Sequence, residues 1–246
     1  MTDGLLLLHG WPVDASMWDG QVEALGDDIK VVAPNMPGFG GAPSAGPIMS
    51  MDAAAAAAAG AVADKGLERV VVCGLSMGGY IALAMWRRHR QMVAGFVFSN
   101  TRAGADDDAG KERRRALATR LRAEGNGFLV ESPPPLLSDH ASDELWGKVK
   151  DMVAAQPAEA IGAAALGMAE RPDSTALLPG IDVPTLVVTS SDDTLIPSAA
   201  TTPMAEQIPG ARLEVIDGVG HLSNLEGADE FTRLLREHVE ACRAAG

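Results

Sequence analysis

Only two cysteines, Cys73 and Cys242, occur in 246 residues. Two thiols cannot make a disulfide framework, and no Cys/His cluster has the spacing of a zinc site. Cys73 lies inside an apolar run and reads as a free buried thiol. Aromatic residues make up only 4% of the chain, so the core must be built from Ala, Val, Leu, Ile and Met. Positive charge is scarce as well. There are 20 Lys and Arg against 33 Asp and Glu, a formal net charge of −13. That balance argues against a nucleic-acid binder that works by neutralising phosphates and against docking on anionic membranes. Long apolar runs are missing: Leu5–Leu8 is far short of a membrane span. A secretory signal would need a basic start and a longer apolar stretch, so the expected location is the cytoplasm. What remains is ordinary globular composition, 47% hydrophobic and 22% charged, at a length that suits a single α/β domain.

Short apolar runs punctuate the chain at Leu5–Leu8, Ile29–Ala33, Val70–Cys73, Ala94–Phe98, Thr185–Thr189 and Leu213–Ile216. Each is bounded by Gly, Pro, Asp or Asn, and each fits a strand buried on both faces of a parallel sheet. The segments between them are long enough for crossover helices, so the expected class is an open α/β sheet. Met51–Asp64 is almost pure alanine and reads as a helix, with Ser50 or Asp52 as N-cap and Gly66 as stop. The segment Thr101–Pro179 has no convincing strand, and helical patterns occupy about 109–124, 142–154 and 157–170. It reads as a helical insertion between two core strands, too long for an ordinary loop. The expected organisation is a core of residues 1–100 and 180–246 with an insertion of residues 101–179.

Gly74-Leu75-Ser76-Met77-Gly78-Gly79 follows the strand Val70–Cys73 and precedes a helical pattern from about Met77 to His89. The pattern G-x-S-x-G therefore stands in the context of strand, sharp turn and helix that gives it meaning. Side chains at Gly74 and Gly78 would collide across the tight strand–helix packing. The turn holds the Ser76 hydroxyl out at the carboxyl end of a strand. The Met77 N–H, in the first helical turn, has no intrahelical partner and suits a developing negative charge. A phosphate-binding loop is excluded, because no Gly-Lys-Ser/Thr follows.

A serine hydroxyl needs a base. Of the five histidines, His221 follows the last strand in Gly218-Val219-Gly220-His221. His140 lies in the insertion, His9 ends the first strand, and His89 and His238 sit in helices among charged neighbours, as surface residues would. His221 is the expected base. A carboxylate must fix its tautomer, and Asp192 and Asp193 follow the strand Thr185–Thr189. The order Ser76, Asp193, His221 is the Ser…Asp…His order of G-x-S-x-G hydrolases. All three sit at carboxyl ends of strands, where open α/β sheets place their sites. One aspartate of the pair reads as a turn residue. The first strand runs into His9-Gly10-Trp11-Pro12, where a glycine lets the Trp11 N–H face the site as a second oxyanion donor while its ring packs.

Together these motifs resemble the α/β-hydrolase superfamily. The matching elements are His9-Gly10-Trp11-Pro12, Pro34-Asn35-Met36-Pro37-Gly38-Phe39-Gly40, the Ser76 turn, Asp193 four residues before Pro197, and Gly218-Val219-Gly220-His221. The resemblance implies a mostly parallel sheet flanked by helices, Asp193 rather than Asp192 as the acid, Trp11 and Met77 as oxyanion donors, and the insertion as a cap over the substrate. It departs in two places: His9 comes too early for the family's first antiparallel hairpin, and Asn35 stands where Asp is frequent. Losing the hairpin exposes one sheet edge and admits a monomer or a homodimer. The nearest groups in kind are carboxylesterases with a His-Gly-Trp-Pro loop and 3-oxoadipate enol-lactonases.

The expected activity is cleavage of carboxylic esters of small to medium acyl groups through an acyl-enzyme, with no metal and no cofactor. The expected partner is a small ester or lactone, with neither nucleic acid nor membrane. Trp11, Phe128, Leu136 and Trp146 are candidate pocket residues, beside Leu137 and Met152. Arg102 and Arg113–Arg115 are candidate anchors for an anionic lactone, or else a solvated helix face balanced by Asp106–Asp108. Two alternatives stay open: a lactone hydrolase, and a slow-turnover sensor that uses the same fold for signalling.

Overall fold

The computed structural model describes residues 4–245. Six strands, β1 (Gly4–Leu8), β2 (Val31–Val32), β3 (Val70–Leu75), β4 (Val93–Ser99), β5 (Thr185–Ser190) and β6 (Arg212–Ile216), form one sheet in the order β2-β1-β3-β4-β5-β6. Every pairing is parallel, and Leu8 lies opposite Gly74 and Phe98 opposite Val187. The four inner strands are buried along their whole length, as continuous apolar runs covered by helices on both faces require.

The two edges depart from that pattern. The apolar run Ile29–Ala33 yields only a two-residue strand, paired on one side with β1. Pro34 follows it and cannot donate to a ladder. The sequence of β6 suggests burial on both faces, but Leu213 and Val215 are 36% and 50% exposed. It is the last strand and has a neighbour on one side only.

The helices are α1 (Asp19–Leu25), α2 (Met51–Asp64), α3 (Met77–His89), α4 (Asp108–Glu124), α5 (Gly127–Glu131), α6 (Asp143–Ala154), α7 (Ala158–Glu170), α8 (Ser198–Gln207), α9 (Ser223–Glu226) and α10 (Ala228–Ala245). The alanine-rich stretch is helical over the expected residues. Ser50 Oγ accepts the Ala53 N–H at 3.1 Å, Gly66 ends it with φ +67°, and Ala54, Ala55, Ala58 and Val62 are buried. Asp52 ties α2 to α3 through Arg87 and Arg88.

Helices α4–α7 all lie in the excursion between β4 and β5. The short α5 is a helix that the sequence pattern does not reveal. Asp107 caps α4 by accepting the Gly110 N–H at 2.7 Å. Small residues let α4 and α7 approach closely: a Cβ on Gly162 would lie 3.6 Å from the Ala118 backbone. Asp106 is buried and ion-paired with Arg102, Arg114 and Arg171. Burial alone would raise its pKa, but the Arg114 and Arg171 guanidiniums hold it down at about 2. Arg102 and Arg114 are therefore engaged by Asp106, and only Asp106 of the three neighbouring aspartates balances them.

His238 is not at the surface. It is buried in α10 with its Nε2 3.5 Å from Cys242 Sγ. The helix turns this side chain toward the sheet, because α10 presents Phe231, Leu234, Leu235, Val239 and Cys242 to the core. Burial lowers its pKa to about 4. Cys73 is a free, buried thiol. Among the described residues no helix is long and apolar enough to cross a membrane, and no group of His, Cys, Asp and Glu could hold a metal ion.

Candidate active site

Ser76 sits between β3 and α3 with φ +56°, a strained conformation for a non-glycine residue. The surroundings hold it there. The Ser76 N–H donates to the Ser99 carbonyl at 2.9 Å, and the Ser76 carbonyl accepts from the Gly79 N–H at 2.9 Å and from Thr101 Oγ1 at 2.8 Å. A Cβ on Gly74 would stand 2.3 Å from the Gly78 carbonyl oxygen, and one on Gly78 would stand 2.1 Å from that of Leu8. The two flanking glycines are therefore steric requirements of the turn. Ser76 itself is 8% exposed.

Asp193 and His221 meet at the carboxyl ends of β5 and β6. His221 Nδ1 lies 2.8 Å from Asp193 Oδ2. The other carboxylate oxygen accepts the Leu195 and Ile196 N–H groups at 2.9 and 2.8 Å. Asp193 thus closes its own turn and holds the imidazole, whereas the Asp192 side chain, among the described residues, accepts only from Ser191 Oγ. Burial disfavours the Asp193 carboxylate, but the hydrogen bonds from His221, Ile196 and Asn100 outweigh that and leave its pKa below the ordinary value. Among the described residues, His221 Nε2 is buried and has no hydrogen-bond partner, Ser76 Oγ included.

A polar cluster that the sequence motifs do not announce supports this pair. Asn100 follows β4 with φ +45°. Its Nδ2 donates to Asp193 Oδ2 and to Ser190 Oγ, both at 2.9 Å. Its Oδ1 accepts from Ser99 Oγ at 2.9 Å and Ser223 Oγ at 2.7 Å. The one local signal for it is Ser99-Asn100-Thr101, a polar triplet directly after an apolar strand.

The loop after β1 lies against the same turn: a Cβ on Gly10 would be 3.6 Å from Ser76 Cβ. Among the described residues, the Trp11 and Met77 N–H groups make no hydrogen bond outside the regular elements. The Trp11 indole N–H donates to the Ile161 carbonyl of α7 at 3.0 Å. His9 is a structural residue. Its Nδ1–H donates to the Gly10 carbonyl at 2.9 Å, its Nε2 accepts the Met36 N–H at 3.0 Å, and burial lowers its pKa to about 4. Asn35 accepts the Ala15 N–H at 2.8 Å and donates to the Gly40 carbonyl at 3.1 Å, so it too ties loops together.

The remaining pocket candidates are dispersed. Leu136 is fully buried, and its carbonyl accepts the Leu222 N–H, next to His221, at 2.8 Å. Phe128 lies under the Arg120 guanidinium at 3.7 Å. Trp146 is half-buried on α6 against the core. Two open clefts of about 630 and 590 Å³ lie at opposite edges of the sheet, along β2 and below β6, and neither is lined by Ser76, Asp193 or His221.

The family model described as the alpha/beta hydrolase family matches residues 5–234. The chain belongs to this family. This hydrolase is 27% identical over 252 residues to a pimeloyl-acyl-carrier protein methyl ester esterase of Aromatoleum aromaticum, across 96% of this chain and 97% of the relative. Among solved structures, it matches a thermophilic esterase from Thermogutta terrifontis at 40% identity and a TM-score of 0.93, across 97% of this chain and 89% of the other. It also matches an enol-lactonase from Burkholderia xenovorans LB400 at 25% identity and a TM-score of 0.87, across 98% and 92%. The hydrolase's relatives thus include esterases, in line with the resemblance read from its motifs.

Proposed function

We propose that this hydrolase cleaves carboxylic esters of small to medium acyl groups through an acyl-enzyme. The observation that carries the reading is His221: one ring nitrogen faces Asp193 at 2.8 Å, and the other is buried without a partner. A neutral imidazole held on its Asp193 side presents an acceptor at Nε2. Ser76 is the nucleophile, at the end of β3 in a conformation that its neighbours enforce.

In this reading Ser76 Oγ attacks the ester carbonyl carbon while His221 Nε2 takes its proton. The carbonyl oxygen becomes an oxyanion facing the Trp11 and Met77 N–H groups, and Asp193 stabilises the imidazolium. The intermediate collapses, the carbon–oxygen bond to the alcohol breaks, and His221 returns the proton to the leaving alcohol. Water then attacks the acyl-enzyme with His221 again as base, releasing the acid and free Ser76. The helices of residues 101–179 act as the cap over the acyl group, with the half-buried Trp11, Phe128 and Trp146 as its apolar surface and Leu136 buried behind it. Of the candidate anchors, Arg102 and Arg114 pair with Asp106 and Arg115 lies 3.6 Å from Glu112, which leaves the exposed Arg113 as the candidate for an anionic lactone and makes a neutral ester the preferred reading.

The test is hydrolysis of p-nitrophenyl esters from acetate to dodecanoate by the wild type and Ser76→Ala. Sustained turnover with a chain-length optimum, and background rates for Ser76→Ala, are expected. A single burst that stops would favour a sensor, and activity retained in Ser76→Ala would overturn the assignment of the nucleophile.

A further inference from the structure

Glu226 ends the four-residue α9, five positions after His221. Its carboxylate joins two segments that are far apart in sequence. Oε2 accepts the Gly220 N–H at 2.8 Å and the Ser138 N–H at 3.0 Å, while Oε1 accepts from Ser138 Oγ. On the other side of the histidine, the Leu222 N–H donates to the Leu136 carbonyl at 2.8 Å. Both backbone neighbours of His221 are therefore bound either to the 136–138 segment or to the carboxylate that holds it. The contact is close-packed as well: a Cβ on Gly220 would lie 2.4 Å from the Leu137 carbonyl carbon and from the Ser138 nitrogen.

We propose that Glu226 is a positioning residue that latches the Leu136–Ser138 segment to the Gly220–Leu222 backbone, so that His221 is aimed only when the insertion is docked. The proposal rests on the reading of His221 as the base. The working property is reach, not charge. Three donors converge on two oxygens, and a side chain one methylene shorter cannot hold both segments. Glutamine can: its carbonyl oxygen accepts the two backbone N–H groups, and its amide donates to the Ser138 hydroxyl. The mechanism predicts a loss in kcat, because misplacing a catalytic group by about 1 Å can cost roughly 100-fold.

The experiment compares wild type, Glu226→Gln, Glu226→Asp and Glu226→Ala on p-nitrophenyl acetate, with Ser76→Ala as control. Diethyl p-nitrophenyl phosphate counts active sites, since the serine oxygen displaces one p-nitrophenolate from phosphorus per site. Expected is a kcat per active site about 10- to 100-fold lower for Asp and Ala, with KM little changed, and recovery to within about threefold for Gln. If the Ala variant does not fold, the Asp and Gln pair decides. The proposal is overturned if Asp matches wild type while Gln is impaired, or if all three variants keep the wild-type kcat per site and lose only thermal stability. Those outcomes, with an active wild type and a dead Ser76→Ala, sink the latch alone. An inactive wild type, or an active Ser76→Ala, sinks the reading of the site beneath it.

Discussion

Asn100 and Asp193 are 93 positions apart, yet the Asn100 amide donates at 2.9 Å to Asp193 Oδ2, the same oxygen that faces His221. The amide cannot turn away, because its own oxygen is held by two serine hydroxyls. Replacing Asn100 by Ala should lower kcat by about ten- to a hundredfold, since a hydrogen bond to a charged group contributes about 1.5–3 kcal/mol and about 1.4 kcal/mol is tenfold in rate. Asn100→Asp should act differently. A second carboxylate beside Asp193 makes both harder to ionise, so the acid limb of the kcat/KM profile should move to higher pH. A profile that overlays the wild type would show that Asn100 does not act on Asp193.

Gly78 at the Ser76 turn and Gly60 in α2 should respond to alanine in opposite ways. Gly78→Ala drives a Cβ to 2.1 Å from a backbone oxygen, which no rotamer change relieves. A loss of about 3 kcal/mol or more is expected, at the upper end of overpacking costs, together with loss of activity. A Cβ on Gly60, inside α2, would meet nothing within 4 Å. Gly60→Ala should stabilise by roughly 0.5–1 kcal/mol through helix propensity. Denaturant midpoints for the two variants provide the check, and equal shifts would contradict the steric account.

Stability should fall on mild acidification. His9 and His238 are held neutral by burial, each with a folded pKa of about 4. In the unfolded chain they titrate near ~6.5. Between these values the unfolded state binds protons that the native state refuses, so stability is lost as pH falls from about 6.5 towards 4. The slope can reach ~2.7 kcal/mol per pH unit for two such groups. Below about 3.8, Asp106, held at about 2 by its arginines, adds to the loss. Urea midpoints at pH 7.5 and 5.5 measure the effect, and His238→Gln should flatten the difference. Identical midpoints at the two values would rule the account out.

The parts of the fold and site that can be read from sequence are those set by local chemistry. Leu5–Leu8 and Val70–Cys73 announce buried strands because every side chain is apolar. The glycine pair around Ser76 announces its turn because a Cβ there has no room. What escapes depends on register between distant segments. His238 looks like a surface residue beside Glu237, and only the docking of α10 buries it. Leu213 and Val215 look like core, and only their place at the sheet edge exposes them. Asn100 and Glu226 find their partners across 93 and 88 positions, a separation that no local pattern encodes.

Trp11 carries two separable features. Its indole N–H holds the Ile161 carbonyl on α7 at 3.0 Å, and its backbone N–H is the proposed oxyanion donor. Trp11→Phe removes the first and keeps the second. Because Ile161 belongs to the excursion between β4 and β5, the expected change is in how long acyl chains are held. KM for octanoate and dodecanoate esters should rise, while kcat for acetate stays within about threefold. Removing an oxyanion donor, by contrast, typically costs about 100- to 1000-fold in kcat. A loss of that size on acetate would mean that the ring sets the loop's backbone, and the two features could no longer be treated as independent.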